Sequence, residues 1–320
     1  MVLQFAVDAN GILKEDKKNL EDPLWIDVCQ PTSQDRIDLL EKLQVILPMH
    51  HELHQLEYSN RFYEEENNIY FSVNVITKAL PIPESHVMTF ILTKNTLVTL
   101  RYADPHPIRT FIDQLEKRSI HIQNPLDIFY ILVEACVGRI ADMFEVFDEK
   151  TNQLAQHLSS IIKRTTKIKR NEALNQTLGE INDLENLLSK CFQSLSSLQF
   201  LIGFLKQVAP KIKLKIANGW PILNQDLQAM IDHGEYLTDK LSFLLESTLG
   251  LINIEQTNII KSFTVLAMIF MPPTLIASVY GMNFRYMPEI NLVWGYPFAM
   301  GVMIISAILP TVFFKLKGWI

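Results

Sequence analysis

Two long stretches without a formal charge lie near the end of the chain and limit its fold more than any other feature. The first runs from Ser262 to Phe284 and the second from Ile290 to Phe314. Each is longer than the ~20 apolar residues that a helix needs to cross the hydrocarbon core of a membrane. Two such stretches joined by a short linker are hard to bury in a soluble domain, so we predict two transmembrane helices.

The charges that flank these stretches predict their orientation. Lys261 precedes the first stretch, Lys315 and Lys317 follow the second, and the linker carries only Arg285 and Glu289. The positive-inside bias therefore places both termini in the cytosol, with the three lysines near the cytosolic membrane face. The first residues lack the basic start and apolar core of a signal peptide, which agrees with a cytosolic N-terminal region.

From the end of the predicted stalk through the first span, one side of the helix carries small or hydroxylated side chains, with a few apolar ones, at steps of three and four residues. We call this set the polar stripe: Thr257, Ile260, Thr264, Ala267, Met271, Thr274 and Ser278. Such a stripe is typical of tight packing between membrane helices, and equally of a pore wall with polar rings and apolar constrictions. The pair Pro272-Pro273 removes two backbone donors, which a water-filled path accommodates more easily than lipid does. Neither span contains Asp, Glu or His, which argues against a proton relay or a carboxylate cage.

The rest of the chain is predicted to be a cytosolic α/β domain followed by long helices. A helix from Pro221 to Val279 would be about 90 Å long, too long for a domain of this size, so we predict a stalk that continues into the membrane. The predicted divisions are a cytosolic α/β domain (1–122), a cytosolic helical hairpin (123–212), a stalk helix (213–261), the pore-lining first span (262–284), an external loop (285–294), the second span (295–314) and a basic cytosolic tail (315–320).

Local patterns give more detailed predictions for the cytosolic part. Alternating and β-branched residues predict strands, and helical spacing predicts helices. The predicted elements are strands at 24–28, 69–76, 87–93 and 96–100, helices at 35–44 (capped by Ser33) and 107–118, an exposed loop at Glu64–Glu66, and a hairpin bend near Lys163–Arg170. The basic residues of that bend can be a solvated tip or can contact lipid headgroups.

Several classes of protein are excluded or disfavoured. The net charge of −6 gives no reason to expect a nucleic-acid partner. The three cysteines lie far apart, outside any metal or redox motif. His51-Glu52 is followed by a histidine one residue too early for a metalloprotease motif, and no phosphate-binding loop is present. We therefore expect no enzyme, no catalytic residues and no cofactor.

The linker resembles the signature of the CorA family of magnesium channels. Tyr280-Gly281-Met282-Asn283-Phe284 ends the first span, followed by Met287-Pro288-Glu289 and then Trp294-Gly295-Tyr296-Pro297. Phe270-Met271-Pro272-Pro273-Thr274 and the tail Lys315–Trp319 also match. The resemblance is strong over residues 250–320 and extends in layout over the whole chain.

The resemblance implies a homopentameric funnel in the bacterial inner membrane, in contact with lipid, with five first spans around a pore. It implies a Mg²⁺ channel, with Co²⁺ and Ni²⁺ as further candidate ions, in which Gly281, Met282 and Asn283 recognise the hydrated ion and the polar stripe lines the path. Gly281 is expected to adopt a backbone conformation that side chains forbid. Cytosolic Mg²⁺ would close the channel by binding acidic side chains between subunits, for which the candidates are Asp226, Asp232, Glu235 and Asp239.

Two alternatives remain. A transporter of Zn²⁺, Co²⁺ or Ni²⁺ from the same superfamily would differ at the position of Met282, and soft metals would suit Cys or His in the path. A cytosolic enzyme or scaffold tethered by the two spans would not need the polar stripe, the proline pair or the mouth motif. The sequence favours the magnesium channel.

Overall fold

A computed structural model describes residues 1–8, 11–15, 23–55, 61–78, 83–117, 121–164, 167–209, 219–283, 285, 287–288 and 292–318. The chain divides into two compact units. Unit 1 contains Met1–Ser160 with Gln176–Leu245, and unit 2 contains Ile161–Asn175 with Glu246–Ile320. Unit 2 therefore combines the turn region of the predicted hairpin with both predicted spans.

The described residues of unit 1 contain one mixed sheet of seven strands. The strands are β1 (Val2–Val7), β2 (Leu13–Glu15), β3 (Trp25–Cys29), β4 (Phe62–Glu65), β5 (Asn68–Lys78), β6 (Glu84–Leu92) and β7 (Leu97–Arg101). Their order is β2-β1-β3-β7-β6-β5-β4, and neighbours are antiparallel except for the parallel pair β3 and β7. The central strands are buried over most of their length, as expected for a sheet covered on both faces.

The four strands predicted from the sequence are confirmed, with ends shifted by a few residues. The edge strands β2 and β4, and the strand β1 that lies between β2 and β3, were not predicted. The prediction of a loop at Glu64–Glu66 is wrong in part, because Glu64 and Glu65 lie in β4. Both are exposed, and Glu66 and Asn67 form the turn into β5 with positive φ angles of 50° and 65°. Charged side chains on an edge strand also protect it from pairing with other chains.

A buried ion pair joins the two parallel strands at the centre of the sheet. The Arg101 Nη2 lies 2.9 Å from the Asp27 Oδ2, and the two side chains are 8% and 1% exposed. Thr99 Oγ1 donates to the other Asp27 oxygen at 2.7 Å, and Trp25 Nε1 donates to that hydroxyl at 3.1 Å. Burial opposes the charge on Arg101, but the hydrogen bond and charge of Asp27 outweigh it and raise the pKa of Arg101. Each of these four buried side chains, Trp25, Asp27, Thr99 and Arg101, therefore has a hydrogen-bond partner.

The described residues form seven helices, which include those predicted from the sequence. They are α1 (Ser33–Leu43), α2 (His50–Gln55), α3 (His106–Lys117), α4 (Pro125–Arg164), α5 (Lys167–Val208), α6 (Gly219–Tyr280) and α7 (Gly295–Leu316). The predicted cap at Ser33 is wrong by one residue. Thr32 caps α1 instead, because its hydroxyl accepts from the backbone N–H of Asp35, whose carboxylate accepts from the backbone N–H of Thr32. This capping box holds the pKa of Asp35 below its usual value through the Thr32 backbone hydrogen bond.

The long helices of unit 1 pack closely on one another and on the sheet. A side chain at Gly234 of α6 would place its Cβ 2.9 Å from Phe192 of α5 and 3.0 Å from Phe144 of α4, so the glycine allows the three helices to approach. Two hydroxyls of α5 hold the middle of β5: Ser194 donates to the Asn74 carbonyl and Ser197 accepts from the Asn74 N–H. The predicted hairpin bend is largely outside the described residues, since Thr165 and Thr166 and the neighbouring side chains are not described.

Candidate functional site

Unit 2 contains the apolar helical surface that the sequence assigns to a membrane. α6 runs without interruption from Gly219 to Tyr280, which takes in most of the predicted stalk and of the first predicted span, and α7 covers the second. Both are long and apolar enough to cross a membrane, and within their most apolar 18 residues only 6% and 11% of positions are buried. Most of this surface is uncovered within the described residues, which is typical of a surface that lipid or further protein covers.

The polar stripe occupies one side of α6. Its members are exposed except for Thr264, which is half-buried, and Ile260 and Met271 are 64% and 69% exposed. At 100° per residue, the covered residues of the same span lie on the opposite side of the helix. These residues are Val265, Ile269, Pro272, Pro273, Ile276 and Tyr280. Within the described residues, the stripe therefore lies on the uncovered part of the helix surface, which also carries the exposed apolar side chains of Phe263, Leu266 and Phe270.

The threonines of the stripe share one hydrogen-bond arrangement. Their hydroxyls donate to the carbonyl four residues earlier: Thr257 to Asn253 at 2.8 Å, Thr264 to Ile260 at 2.8 Å and Thr274 to Phe270 at 2.7 Å. Because each hydroxyl hydrogen is used within the helix, the oxygen keeps both lone pairs and can act only as an acceptor toward its surroundings. The stripe therefore offers neutral acceptors to whatever lies beside it.

The proline pair does not end α6. Pro272 and Pro273 have no N–H, so the carbonyls of Met268 and Ile269 lose the donors that a regular helix would supply. Helical structure nevertheless continues to Tyr280. The backbone of the span is thus less completely satisfied at its middle than at either side, which favours contact with polar groups or water there.

The mouth motif follows directly at the end of α6. The N–H of Gly281 donates to the Ala277 carbonyl at 2.9 Å, and the N–H of Met282 donates to the Val279 carbonyl at 3.3 Å. Gly281, Met282 and Asn283 are all exposed. Phe284, Tyr286 and residues 289–291 lie outside the described residues.

The expected role of Gly281 requires correction. Its φ angle is not in the left-handed region, which among the described glycines is found at Gly11 and Gly318. A Cβ at residue 281 would instead lie 3.2 Å from the Ala277 carbonyl oxygen and 3.6 Å from that of Ser278. The glycine therefore allows a close approach of the chain to the last turn of α6, rather than an unusual backbone conformation.

The three predicted lysines lie at the ends of the apolar stretches. Lys261 precedes the covered part of the span, and Lys315 and Lys317 end α7, and all three are exposed. The helix closes with the N–H of Gly318 donating to the Lys315 carbonyl at 3.1 Å, with Gly318 at a φ of 70°. Trp294 and Tyr296 at the other end of α7 are each 78% exposed, as expected for aromatic residues of a membrane interface. Trp319 lies outside the described residues.

The acidic candidates for a regulatory site lie on the exposed surface of α6 and do not form a cluster. Asp226, Asp232, Glu235 and Asp239 are all exposed. The last three share one side of the helix, whereas Asp226 lies on another. No group of three or more His, Cys, Asp or Glu side chains suited to a metal ion occurs among the described residues. Within one chain these acids do not form a metal site.

The sequence missed one contact in unit 2. Glu255 of α6 is 6% exposed and pairs with Arg170 of α5, with the Arg170 Nη1 2.5 Å from the Glu255 Oε1. Glu255 stands out in the sequence as an isolated acid between Glu246 and Lys261. Its partner could not be found from spacing, because 85 residues separate the two.

Comparison with known proteins gives matches over the full chain. The family model described as CorA-like Mg²⁺ transporter protein matches residues 21–316. Magnesium transport protein CorA from Mannheimia succiniciproducens is 30% identical over 325 residues, and that from Haemophilus influenzae is 29% identical over 323, each covering 100% of both chains. The solved CorA magnesium transporter from Methanocaldococcus jannaschii covers 100% of this chain and 99% of its own, with a TM-score of 0.74 and 20% identity. The structural likeness concerns the fold, and the resemblance found in the sequence is confirmed.

Proposed function

This chain belongs to the CorA family of Mg²⁺ transporters, and we propose that it conducts Mg²⁺ through a path lined by α6. Asn283 recognises the ion at the outer mouth, and the polar stripe lines the path below it. The polar stripe is the observation that carries this proposal. It is turned away from the covered side of α6, and it leads to Gly281, Met282 and Asn283.

The chemistry of the path fits an ion that keeps its water. Mg²⁺ is small, prefers octahedral oxygen ligands and loses its water reluctantly. The bound waters donate hydrogen bonds outward, so a hydrated ion needs acceptors around it. The Asn283 amide oxygen and the hydroxyl oxygens of Thr257, Thr264 and Thr274 are neutral acceptors of this kind. Neutral acceptors hold the ion loosely enough for it to leave again.

A complete path needs several copies of the chain. One helix presents one stripe and cannot surround an ion, whereas a ring of copies would enclose the path with identical stripes. The large uncovered apolar surface of unit 2 supports this, since part of it would contact neighbouring copies and part would contact lipid. We propose a homopentamer, as the family resemblance implies, with α6 around the pore and α7 outside it.

The membrane potential provides the driving force. We propose that both termini lie in the cytosol of a bacterial inner membrane, with Lys261, Lys315 and Lys317 near its cytosolic face. Moving two positive charges inward through ~100 mV releases about 4.6 kcal/mol, which is twice the value for one charge. No nucleotide is therefore needed to drive uptake.

The range of ions and the regulation belong to the same proposal. Co²⁺ and Ni²⁺ are expected as further substrates, because they form hydrated divalent ions of similar geometry. The Zn²⁺ alternative is not favoured, since these relatives, which match the whole chain, are magnesium transport proteins.

Cytosolic Mg²⁺ is proposed to close the channel by binding between copies, at Asp232, Glu235, Asp239 or Asp226. If millimolar internal Mg²⁺ left uptake unchanged, the proposal that cytosolic Mg²⁺ closes the channel would be wrong.

The test compares asparagine variants at two positions, Asn283 after the end of α6 and Asn258 within α6 just before the first span. Asn283→Ala is expected to abolish Mg²⁺ uptake into liposomes with an inside-negative potential. Asn258→Ala is the matched control, because Asn258 is half-buried on a different side of α6 from the polar stripe. Full uptake by an assembled Asn283→Ala variant would show that Asn283 is not the residue that recognises the ion.

A further inference from the structure

The contact between Arg170 and Glu255 ties the start of α5 to α6 within unit 2. The Glu255 side chain is 6% exposed and that of Arg170 is 25% exposed. Leu174, one turn after Arg170, and Thr248, two turns before Glu255, are fully buried. A buried carboxylate is costly unless a cation and hydrogen bonds accompany it. The surrounding packing therefore holds the two helices together at this pair.

The position of Glu255 on α6 relates this contact to the polar stripe. Glu255 lies two residues before Thr257, the first member of the stripe, which places the two side chains about 160° apart around the helix. Thr257 and Ile260 are exposed, whereas Glu255 is covered. The ion pair is thus attached to the back of α6, at the level where its front begins to carry the stripe.

We infer that Arg170 and Glu255 are positioning residues, which fix the rotation of α6 so that Thr257 and Ile260 face the conduction path. This inference rests on the proposed function. A rotation of α6 by one residue, or about 100°, would turn Thr257 out of the path and bring a neighbouring side chain into it. An ion pair opposite the stripe resists such a rotation without narrowing the path.

The test neutralises each partner and then exchanges them. The variants are Glu255→Gln, Arg170→Gln and the double variant Arg170→Glu with Glu255→Arg, together with the conservative Glu255→Asp. Lys78→Gln is the control, because it neutralises an exposed pair of unit 1 in which the Lys78 Nζ lies 3.5 Å from the Glu84 Oε1. Mg²⁺ uptake is measured per assembled full-length protein in liposomes.

A second readout reports the rotation of α6 directly. Thr257→Cys and Ser262→Cys are introduced separately into each background, and their rates of modification by a water-soluble thiol reagent are compared. Ser262 is exposed and lies seven residues after Glu255, on the same side of the helix. The ratio of the two rates changes when α6 rotates, whereas a simple loss of stability alters both sites together.

The expected result is a loss of about fivefold in uptake for each neutralised variant, with a lower ratio of Thr257 to Ser262 modification. The exchanged pair and Glu255→Asp are expected to restore both readouts to within about twofold, and Lys78→Gln to leave them unchanged. Wild-type uptake and an unchanged ratio in the single variants would overturn the inference, as would an exchanged pair no better than either single variant. If the wild-type protein carried no Mg²⁺, the proposed function would fail, and the thiol ratio alone would decide the positioning role.

Discussion

The two compact units use the same kinds of residue in opposite ways. In unit 1 the large apolar side chains are buried: Phe71 has no exposed surface and contacts the rings of Phe129 and Phe204, 5.1 and 5.8 Å away between centroids. In the spans of unit 2 they are exposed, as Phe270 is at 62%. The first unit closes its own core, whereas the spans of the second leave most of their apolar surface uncovered. The same type of side chain is therefore buried in one unit and exposed in the other.

The largest expected effect contrasts two phenylalanines. Phe71→Ala should lower the free energy of unfolding of unit 1 by about 3–5 kcal/mol, because it removes a fully buried ring and leaves a cavity. Phe270→Ala should have little effect on the same transition. Thermal and denaturant unfolding of the detergent-solubilised protein measure both. An equal loss for both variants would break the comparison between the units.

The buried ion pair of the sheet gives the next test. Arg101→Met should cost about 3–5 kcal/mol, since it leaves the Asp27 carboxylate buried without its cation. Replacing both partners, in Asp27→Leu with Arg101→Met, should cost less than the single change because no uncompensated charge remains. The same unfolding measurements apply. A double variant as unstable as Arg101→Met would show that packing, rather than charge, dominates at this position.

The same hydroxyl arrangement occurs in both units and should act differently. Thr151 of α4 is fully buried and donates to the Phe147 carbonyl at 2.7 Å, as Thr264 donates to Ile260 in the polar stripe. Thr264→Val should reduce Mg²⁺ uptake about tenfold with little change in stability, because it removes an acceptor from the path. Thr264→Ser should retain uptake. Thr151→Val should leave uptake unchanged and alter only stability, by about 1 kcal/mol.

The smallest effect concerns an ion pair between α4 and α6 in unit 1. Lys240 Nζ lies 2.6 Å from the Asp148 Oδ1, and this hydrogen bond holds the pKa of Asp148 below its usual value of 3.8. A lowered pKa in the folded protein means that the pair stabilises above the usual value, and that its contribution is lost as the pH falls through the lowered pKa. The pair is partly exposed, so Asp148→Asn should cost less than ~1 kcal/mol at pH 7. The difference between variant and wild type should begin to shrink below about pH 4 and should vanish only when the pH is below the lowered pKa of Asp148.

The sequence predicted those parts of the fold that depend on local pattern. Strand-forming β-branched and aromatic residues located β3 and β5, and charge-free length located the spans in α6 and α7. The edge strands β2 and β4 have only three and four residues, too few for a periodic signal. Thr32 rather than Ser33 became the cap of α1 because Asp35 completes a capping box with it. The role of Gly281 was misjudged, since closeness to the Ala277 carbonyl depends on how the last turn ends.

The candidate site likewise has features that the sequence predicted and features that it did not. The polar stripe was visible from spacing, because a helix repeats regularly and its sides can be followed along the sequence. The pair of Arg170 with Glu255 was not visible, since its partners are brought together only when α5 returns to α6. The choice of Asn283 as the recognition residue came from the family resemblance and remains a prediction.

Mg²⁺ uptake by the wild-type chain in liposomes, with and without an imposed potential, tests the central claim most directly. We expect uptake to rise when the interior is made negative by ~100 mV, because two positive charges then move inward down the potential. It also predicts that this uptake is lost in Asn283→Ala and kept in Asn258→Ala. Assembled wild-type protein that carries no Mg²⁺ at any potential would contradict the claim that the polar stripe lines an ion path.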